Sequence, residues 1–500
     1  MSFVLACDLG GTSLRAALVD RAGAFVAAHT VAGRTAQSRQ SVSEIDPSLW
    51  WADFCRAVDA LALIAPDAFA NTRAISITAI TRTQVFLGDG GKVLRPAILW
   101  GDTRSESLVQ SLRERCPTGH EEAAGLNAFH PLARLWWLRQ AEPEIAASLA
   151  HVVEPKDYLN FCLTGTVASD TVSMARLAAS AAPAVDGRSL FDAAGLDATV
   201  LPRLLTPGDI VGTVRADIAG AVGKLAGLPV VMMANDTWAT VVGLGAMRPG
   251  CAYNISGTTE VLGVLSSQTA SAEGLMTVAW GEGLTQVGGP SQSGADSLMW
   301  LLDLLSRSQT GDAAAELAAL TADARDSEPV LFLPYLLGER VPHWDPALRG
   351  ALLGLNRSHR AVDLAYAVME GVGFLNRLVL ERAEAATGVR IEELRFGGGG
   401  ATNPLWCQIK ADILGRPVVV TDCEEHGLLG AAITAWSALD TGFPLGDVQR
   451  RLVRTARRYE PGPGNRQRYN DLFVLFRQAE DALRPISHQL VGLQRRGASS

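Results

Sequence analysis

The chain has 500 residues, more than a single hydrophobic core of about 250–300 residues can organise, so we expect two large domains. With 48% hydrophobic and 19% charged residues the composition excludes a disordered chain, and a net charge of −8 without a dense basic block argues against a nucleic-acid partner. Seven cysteines without a CxxC pair, no basic leader and no apolar run near the ~20 residues of a membrane span favour a cytoplasmic protein without a membrane partner.

The opening of the chain predicts an antiparallel β-meander, because apolar runs at 3–7, 16–19 and 24–28 are separated by turn-forming residues. The first turn supplies a carboxylate, two glycines and several hydrogen-bond donors: Asp8, Gly10, Gly11, Thr12, Ser13 and Arg15. These residues suit a phosphate-binding hairpin with Asp8 near a metal ion. An ordinary β-turn has the same composition, so both interpretations stay open. The spacing matches neither a P-loop nor a Rossmann fingerprint, and a strand rather than a helix follows.

Helical and strand-like segments alternate over the next part of the chain. We predict a helix over 48–63 and strands over 74–80 and 93–100, which together indicate an α/β domain with helices packed on a sheet. Tryptophans are core residues by default, but Trp100 is followed directly by a polar run that contains Asp102. Trp100 is therefore kept as a candidate site residue.

A second carboxylate stands at a predicted strand end. Asp236 follows the apolar strand 229–234 and precedes a predicted helix over 237–245. A carboxylate at this junction would suit a general base that deprotonates a phosphoryl acceptor. The competing interpretation is a helix N-cap, for which Asp is a preferred residue, and position alone favours the N-cap.

The opening pattern returns near the middle of the chain. Strands over 252–256 and 261–265 flank a turn that contains Gly257 and Thr258. We therefore predict two related domains, each of which opens with a β-hairpin that offers backbone N–H groups to an anion.

The boundary between the two domains is predicted near Pro249, giving domains 1–248 and 249–500. In the second domain the glycine run 397–400 precedes a helix that begins at Pro404. Consecutive glycines are entropically costly in an ordered loop, so we expect this backbone to lie against a flat ligand.

These segments resemble, in order and over nearly the whole chain, the motifs of the FGGY carbohydrate kinases, and of their xylulokinase-like branch in particular. The segments that carry the resemblance are the first phosphate motif 8–15, the substrate loop 96–104, the stretch 155–165, the catalytic pair Asn235-Asp236, the second phosphate motif 256–258 and the adenosine motif 397–403. The second family signature fits throughout 350–370. The first signature, at 129–141, is similar but has Arg134 where the pattern has Lys and Ala141 where it has a polar residue.

The resemblance implies an α/β fold of two actin-like ATPase (RNase H-like) domains with a cleft between them. It also implies transfer of the γ-phosphoryl group of ATP to a hydroxyl of a small sugar or polyol, with Mg²⁺ as cofactor. In this match Asp236 is the catalytic base, which overturns the N-cap preference, and Asp8 is the metal-associated aspartate. The residues implied to bind ATP are Gly10, Gly11, Thr12, Ser13, Arg15, Gly257, Thr258, Gly398, Gly399 and Asn403. A homodimer is left open.

The substrate positions depart from both of the branches that the chain resembles. Arg82-Thr83 stands where xylulokinases carry Met-His and glycerol kinases carry Arg-Glu, so Arg82 resembles the polyol branch while its surroundings resemble the ketose branch. The residues expected to contact the substrate are Arg82, Thr83, Trp100, Asp102, Asp236 and Thr237. We expect a ketopentose such as xylulose, with a substrate of the glycerol, erythritol or ribulose type as the alternative.

Two functions from other classes compete with the kinase. An actin-like ATPase that drives a protein partner would need neither an acceptor-side base nor a small-molecule pocket, so Asp236 and the loop around Trp100 favour the kinase. A sugar-binding regulator without activity would be expected to lose Asp8 or Asp236, and both are present.

Overall fold

The computed structural model describes residues 1–33, 37–39, 41–305, 313–322, 325, 328–440 and 443–497. The strands are, in chain order, β1 (Phe3–Leu9), β2 (Ser13–Asp20), β3 (Phe25–Ala32), β4 (Gln37–Arg39), β5 (Val42–Ile45), β6 (Thr72–Ala79), β7 (Val85–Leu87), β8 (Ala97–Ile98), β9 (His151–Val153), β10 (Ala168–Asp170), β11 (Arg203–Leu205), β12 (Ile210–Thr213), β13 (Pro229–Val231), β14 (Cys251–Ser256), β15 (Glu260–Ser266), β16 (Met276–Gly281), β17 (Leu284–Ser291), β18 (Leu331–Leu333), β19 (Ala351–Leu353), β20 (Glu393–Gly397), β21 (Val418–Thr421) and β22 (Thr455–Tyr459). The α-helices are α1 (Pro47–Ile64), α2 (Pro66–Ala70), α3 (Glu106–Arg113), α4 (Pro131–Ala141), α5 (Pro143–Ala147), α6 (Pro155–Thr164), α7 (Ala175–Ser180), α8 (Leu190–Ala194), α9 (Gly220–Gly223), α10 (Asp236–Gly243), α11 (Asp296–Leu304), α12 (Ala313–Leu320), α13 (Ala361–Thr387), α14 (Pro404–Leu414), α15 (His426–Leu439), α16 (Leu445–Leu452) and α17 (Arg466–Gly497). Within these described ranges, none of the helices has the length and apolar character needed to cross a bilayer.

The chain divides into two compact units. The first unit contains residues 1–243 and 425–453, and the second contains 244–424 and 454–500. The chain first passes from the first unit to the second between residues 243 and 244, close to the predicted boundary at 248/249. The division differs from the prediction of two continuous domains because 425–453 packs with the first unit.

The first unit is built on a mixed six-stranded sheet in the order β12-β13-β6-β1-β2-β3. β1, β2 and β3 form the predicted antiparallel meander, and β6 runs parallel to both β1 and β13. Parallel strands end at the same edge of a sheet, so the residues that follow β1, β6 and β13 share one edge. Helix α1, predicted over 48–63, covers β2 and β3 with an apolar face that includes Phe54 and Val58.

Helix α15 explains why 425–453 belongs to the first unit. It is buried without interruption from His426 to Trp436 and packs against β1, β6 and α10. The approach to α10 is so close that a Cβ on Gly430 would stand 1.9 Å from the carbonyl oxygen of Ala239. A helix that is apolar on all sides requires burial on all sides, and these elements of the first unit supply it.

The second unit is built on a mixed seven-stranded sheet in the order β16-β17-β15-β14-β20-β21-β22. β14 and β15 form an antiparallel hairpin, and β20 lies parallel to β14 on its other side, as β6 lies beside β1 in the first unit. The predicted α/β class and the predicted recurrence of the opening hairpin are thus confirmed. The 27-residue helix α13 runs through an apolar core in which Phe374 contacts Phe473 and Phe476 of α17.

The strand predicted over 93–100 is wrong in extent. Only Ala97–Ile98 forms a strand, and the chain then turns at Trp100. Pro96 just before it has no N–H to donate to a sheet ladder, which shortens the pairing. A separate apolar cluster, which includes the buried Leu135 and Phe191, packs the segment around β8 against α3, α4 and α8.

Candidate functional site

The first candidate phosphate site is the turn between β1 and β2. The strand register ends at the pair Leu9 and Leu14, and the N–H of Gly10 donates to the carbonyl of Ser13 at 2.9 Å. Gly11 and Thr12 at the tip are exposed. The tip of the turn is therefore accessible to an anion, as a phosphate-binding turn requires.

Asp8 lies at the end of β1, directly below this turn. Its side chain is 9% exposed and accepts no hydrogen bond from any residue that the structure describes. Burial raises the pKa of Asp8 to about 6; Arg15 opposes the shift, and the carboxylates of Asp236 and Glu425 add to it. Arg15 in turn forms an ion pair with Glu425, which precedes α15. A buried carboxylate without protein donors is suited to a bound cation.

Asp236 begins α10, but it is not the N-cap. The Oδ1 of Asn235 accepts from the N–H of Trp238 at 3.1 Å, so the neighbouring amide performs the capping. Asp236 is half-buried, and its Oδ1 accepts from the N–H and the hydroxyl of Thr237 at 2.7 and 3.3 Å. These bonds leave Oδ2 available for a proton.

The electrostatics of Asp236 suit a general base. Burial raises the pKa of this carboxyl to about 6, and the two hydrogen bonds from Thr237 oppose the shift. A base with a pKa near 6 is mostly ionised at neutral pH and is a stronger proton acceptor than an exposed aspartate. Because β1, β6 and β13 end at one edge, Asp236 lies close enough to Asp8 to raise its pKa.

The other four predicted substrate residues, Arg82, Thr83, Trp100 and Asp102, fall into two groups. Trp100 is 57% exposed, and Arg134 links the Arg82 and Trp100 loops by donating to the backbone carbonyl of each residue. Thr83 and Asp102 are instead fully buried. The geometry thus brings Arg82 and Trp100 together and leaves Thr83 and Asp102 without an exposed side chain.

The carboxylate of Asp102 is occupied within the protein. Its oxygens accept from the N–H of Ser43 at 2.7 Å and from the backbone and guanidinium of Arg104. Burial alone would raise the pKa of Asp102, but the bonds from Arg104 and Ser43 outweigh it and hold the pKa below its ordinary value. This arrangement favours a role in shaping the loop over direct contact with a substrate.

The second candidate phosphate site is the turn between β14 and β15. The N–H of Gly257 donates to the carbonyl of Thr259 at 2.9 Å, and the Gly257 carbonyl accepts from Ala295 at 3.0 Å. Gly257 and Thr258 are exposed at the tip. This turn is one residue shorter than the first, since its register ends at Ser256 and Glu260, but it too places glycine and threonine at an exposed tip.

The glycine run lies directly against the end of β14. Gly398 has φ +81°, and a Cβ there would stand 2.4 Å from the carbonyl oxygen of Ser256, so only glycine fits. Gly399 is exposed and faces open space. The Oδ1 of Asn403 caps α14 by accepting from Trp406 at 3.0 Å, which leaves the amide nitrogen of Asn403 as the group that could donate to a ligand.

Beneath both motifs lies a buried ion pair that the sequence did not reveal. Lys410 of α14 is fully buried and donates to Glu260 and Asn254 at 3.0 Å each, and to Asn376 of α13. Burial lowers the pKa of Lys410, although Glu260 opposes the shift. The pair ties the strands of the second hairpin to the helix that Asn403 caps.

Three other residues that lie around the candidate site were also not identified from the sequence. Gly427 and Glu425 lie beside Asp8, and Glu154 contacts the backbone of Arg82. No local pattern marks these residues, because each contact joins positions that are far apart in the sequence.

Known proteins resemble this chain over most of its length. Models of the N-terminal and C-terminal domains of the FGGY family of carbohydrate kinases match residues 3–243 and 252–439. A xylulose kinase of Escherichia coli is 31% identical over 86% of this chain and 87% of its own length. A glycerol kinase of Bordetella parapertussis is 29% identical over 88% of this chain and 90% of its own. The crystal structure of a xylulose kinase from Rhodospirillum rubrum has a TM-score of 0.86 at 27% identity, covering 97% of this chain and 100% of that one.

Proposed function

The chain belongs to the FGGY family of carbohydrate kinases and is an ATP-dependent kinase of that family, and we propose that its acceptor is a ketopentose, with xylulose as the first candidate. The observation that carries this proposal is the likeness to xylulose kinases, which spans 86% of the chain in one relative and 98% in another. The free thiols and the need for ATP favour the cytoplasm as its location.

In this proposal Asp236 takes the proton of the acceptor hydroxyl as that oxygen attacks the γ-phosphorus of ATP. The hydrogen bonds from Thr237 to Oδ1 fix the carboxylate, and Oδ2 accepts the proton. Asn235 supports the same role, since by capping α10 it spares Asp236 from that task. Trp100 offers an exposed aromatic face, and Arg82 offers donors for the acceptor hydroxyls.

The remaining roles concern ATP and Mg²⁺. The two hairpin turns, at Gly11 and at Gly257, would bind phosphate oxygens through backbone N–H groups, and Gly399 would lie against the adenosine. Asp8 would hold Mg²⁺, which neutralises charge on the transferred phosphoryl group. A single protein carboxylate suits an ion whose other ligands are water and phosphate oxygens, and the described residues contain no group of three or more metal-binding side chains.

A polyol acceptor is the second candidate, and Arg82 favours it. An arginine at this position resembles the glycerol kinase branch, and a glycerol kinase is among the relatives that match over most of the chain.

The test is ADP formation by the purified full chain with ATP and Mg²⁺ against xylulose, ribulose, erythritol, glycerol and gluconate. We expect the highest kcat/KM with xylulose. The Asp236→Asn variant is the matched control, because its ADP formation should fall to background with every acceptor. A preference for glycerol would transfer the proposal to the second candidate, and ADP formation that is independent of any acceptor would overturn both.

A further inference from the structure

Arg82 adopts a backbone conformation that side-chain-bearing residues rarely occupy. Its φ is +56°, in the left-handed region, and only two other non-glycine residues in the described parts of the chain share this feature, Glu282 and Trp344. Such a conformation persists where the surroundings dictate it, and it commonly marks a functional site.

Two buried side chains hold the backbone of Arg82 from opposite sides. The Oε1 of Glu154 accepts from the Arg82 N–H at 2.9 Å and from the hydroxyl of Thr81 at 3.1 Å. On the other side the Nη1 of Arg134 donates to the Arg82 carbonyl. Glu154 is 5% exposed and Arg134 is fully buried, so water cannot replace either contact.

Arg134 also extends the contact to the neighbouring loop. Its second terminal nitrogen, Nη2, donates to the carbonyl of Trp100 at 2.9 Å. One planar guanidinium therefore sets the distance between Arg82 and Trp100, the two substrate candidates that the structure places together. A lysine at position 134 would have a single nitrogen with which to donate to both of these carbonyls.

Two helices fix the positions of Arg134 and Glu154. Arg134 lies in the second turn of α4, whose N-terminus is capped by the His130 Nδ1 accepting from the Leu132 N–H at 3.2 Å. Glu154 is the N-cap of α6, and its own N–H donates to Asp157 at 3.1 Å. The strained backbone of Arg82 is thus supported by two helices, as a pre-organised site requires.

We infer that Glu154 and Arg134 are positioning residues that set the direction of Arg82 against Trp100 and thereby decide which acceptor the enzyme prefers. The inference rests on the proposed function, since it assumes that Arg82 and Trp100 contact the acceptor. We call Glu154 and Arg134 the Arg82 clamp. Neither side chain touches the reacting atoms, so the Arg82 clamp acts on acceptor affinity and choice rather than on the proton transfer at Asp236.

The protonation of Glu154 indicates which substitution is conservative. Burial raises the pKa of Glu154 to about 8, with Lys156 opposing and Asp157 and Asp170 adding, so the carboxyl is largely neutral at pH 7. Its Oε2 has no hydrogen-bond partner among the described residues and can carry the proton. Glutamine reproduces this neutral form and keeps an oxygen for the Arg82 N–H, whereas alanine leaves that N–H buried and unpaired.

The experiment compares Glu154→Gln, Glu154→Ala and Arg134→Lys in the full chain. Glu154→Ala and Arg134→Lys should raise the acceptor KM about tenfold, as expected for one unpaired buried group, with kcat reduced no more than about threefold. Glu154→Gln should stay within about threefold of the wild-type KM. Arg139→Lys is the matched control, because Arg139 also lies in α4 and donates to two backbone carbonyls, those of Ala194 and Gly195, but not to those of Arg82 and Trp100. Its acceptor KM should not change.

A double-mutant cycle separates positioning from general stability. In an Arg82→Ala background the truncation of Glu154 should have no further effect on acceptor KM, since the side chain that it orients is gone. Additive effects, or equal losses from Glu154→Gln and Glu154→Ala, would overturn the inference.

A second readout needs no acceptor. Hydrogen exchange at the Arg82 amide, followed by mass spectrometry on a peptide spanning 80–84, should accelerate at least tenfold in Glu154→Ala but not in Glu154→Gln. If no sugar in the panel supports ADP formation, the proposed function fails, while the exchange result still decides whether the Arg82 clamp exists. Unchanged exchange in Glu154→Ala would refute the clamp even if the kinase assay succeeds.

Discussion

Gly427, in the first turn of α15, lies directly against the carboxylate of Asp8 in β1: a Cβ at position 427 would stand 2.7 Å from Oδ2. The helix N-terminus therefore approaches Asp8 as closely as the absence of a side chain permits. The positive end of the helix dipole faces this carboxylate, so it partly offsets the cost of keeping a charge there.

The first prediction follows from this contact. Gly427→Ala should displace the Asp8 carboxylate by a few tenths of an ångström and raise the Mg²⁺ concentration needed for half-maximal rate. Overpacking at a tight contact typically costs about 1–3 kcal/mol, so a lower melting temperature is also expected. The measurement is a Mg²⁺ titration of the rate. Gly446→Ala is the control, since a Cβ there approaches nothing nearer than 3.7 Å. Equal Mg²⁺ dependence in the two variants would show that the contact of Gly427 with Asp8 does not influence the proposed Mg²⁺ binding.

The second prediction concerns the pH dependence of stability. Because burial raises the pKa of Asp8 from 3.8 to about 6, ionising Asp8 is harder in the folded chain than in the unfolded one. The wild type should thus lose stability relative to Asp8→Asn as the pH rises from about 4 to about 6, by about 2–3 kcal/mol in full. Below pH 4 the two should be alike.

Urea unfolding at pH 4 and pH 7, in metal-free buffer, measures this difference. Asp67→Asn, at an exposed aspartate, is the control and should show no comparable change between the two pH values. If Asp8→Asn were less stable than the wild type at pH 7, the carboxylate would be stabilised by its surroundings and the argument from burial would be wrong.

The third prediction tests the base. Asp236→Asn preserves the shape of the side chain and an oxygen for Thr237, so the fold and ATP affinity should be unchanged, while stability at pH 7 should rise as in Asp8→Asn. Loss of a positioned base typically lowers kcat by about 10²–10⁴-fold. In the wild type, kcat should fall below about pH 6, where burial places the pKa of Asp236. Single-turnover kinetics measure the chemical step, and a variant rate within threefold of wild type would assign the proton transfer to another group.

Local sequence patterns predicted where in the fold some candidate site residues lie, namely those whose placement depends on neighbouring residues. Asp8 and Asp236 each follow a short apolar strand, and that pattern places a carboxylate at a sheet edge without knowledge of the rest of the fold. The Gly257 turn and the helix after Asn403 were likewise predicted from turn-forming residues and from proline at a helix start.

Contacts between distant positions were not predictable in the same way. Whether Asn235 or Asp236 caps α10 depends on the final rotamers, and both residue types suit a cap. The Asp102 carboxylate is unavailable to a substrate because it accepts from the N–H of Ser43, which lies 59 positions away in the sequence. The contact of Gly427 with Asp8 requires the return of 425–453 to the first unit, and no periodicity in the sequence encodes that return.

The final prediction separates two adjacent glycines of the run 397–400, Gly398 and Gly399. A side chain at Gly398 meets the Ser256 carbonyl and requires a positive φ, whereas a Cβ at Gly399 meets nothing within 4 Å. Gly398→Ala should therefore destabilise the second unit, because the strain and the clash both act without any ligand. Gly399→Ala should leave the melting temperature within about 1 °C of wild type.

For ATP binding, Gly399→Ala should have the larger effect of the two variants, whereas for stability Gly398→Ala has the larger effect. If ATP lies on the exposed backbone at Gly399, the methyl group of Gly399→Ala enters the space that the nucleotide needs, and the KM for ATP should rise about tenfold while the acceptor KM stays constant. Thermal melting with and without ATP reports both stability and nucleotide binding: at an ATP concentration near the wild-type KM, ATP should raise the melting temperature of Gly398→Ala more than that of Gly399→Ala. A normal ATP-induced shift in Gly399→Ala would show that the nucleotide does not approach this glycine, and that the four-glycine run serves the packing against Ser256 alone.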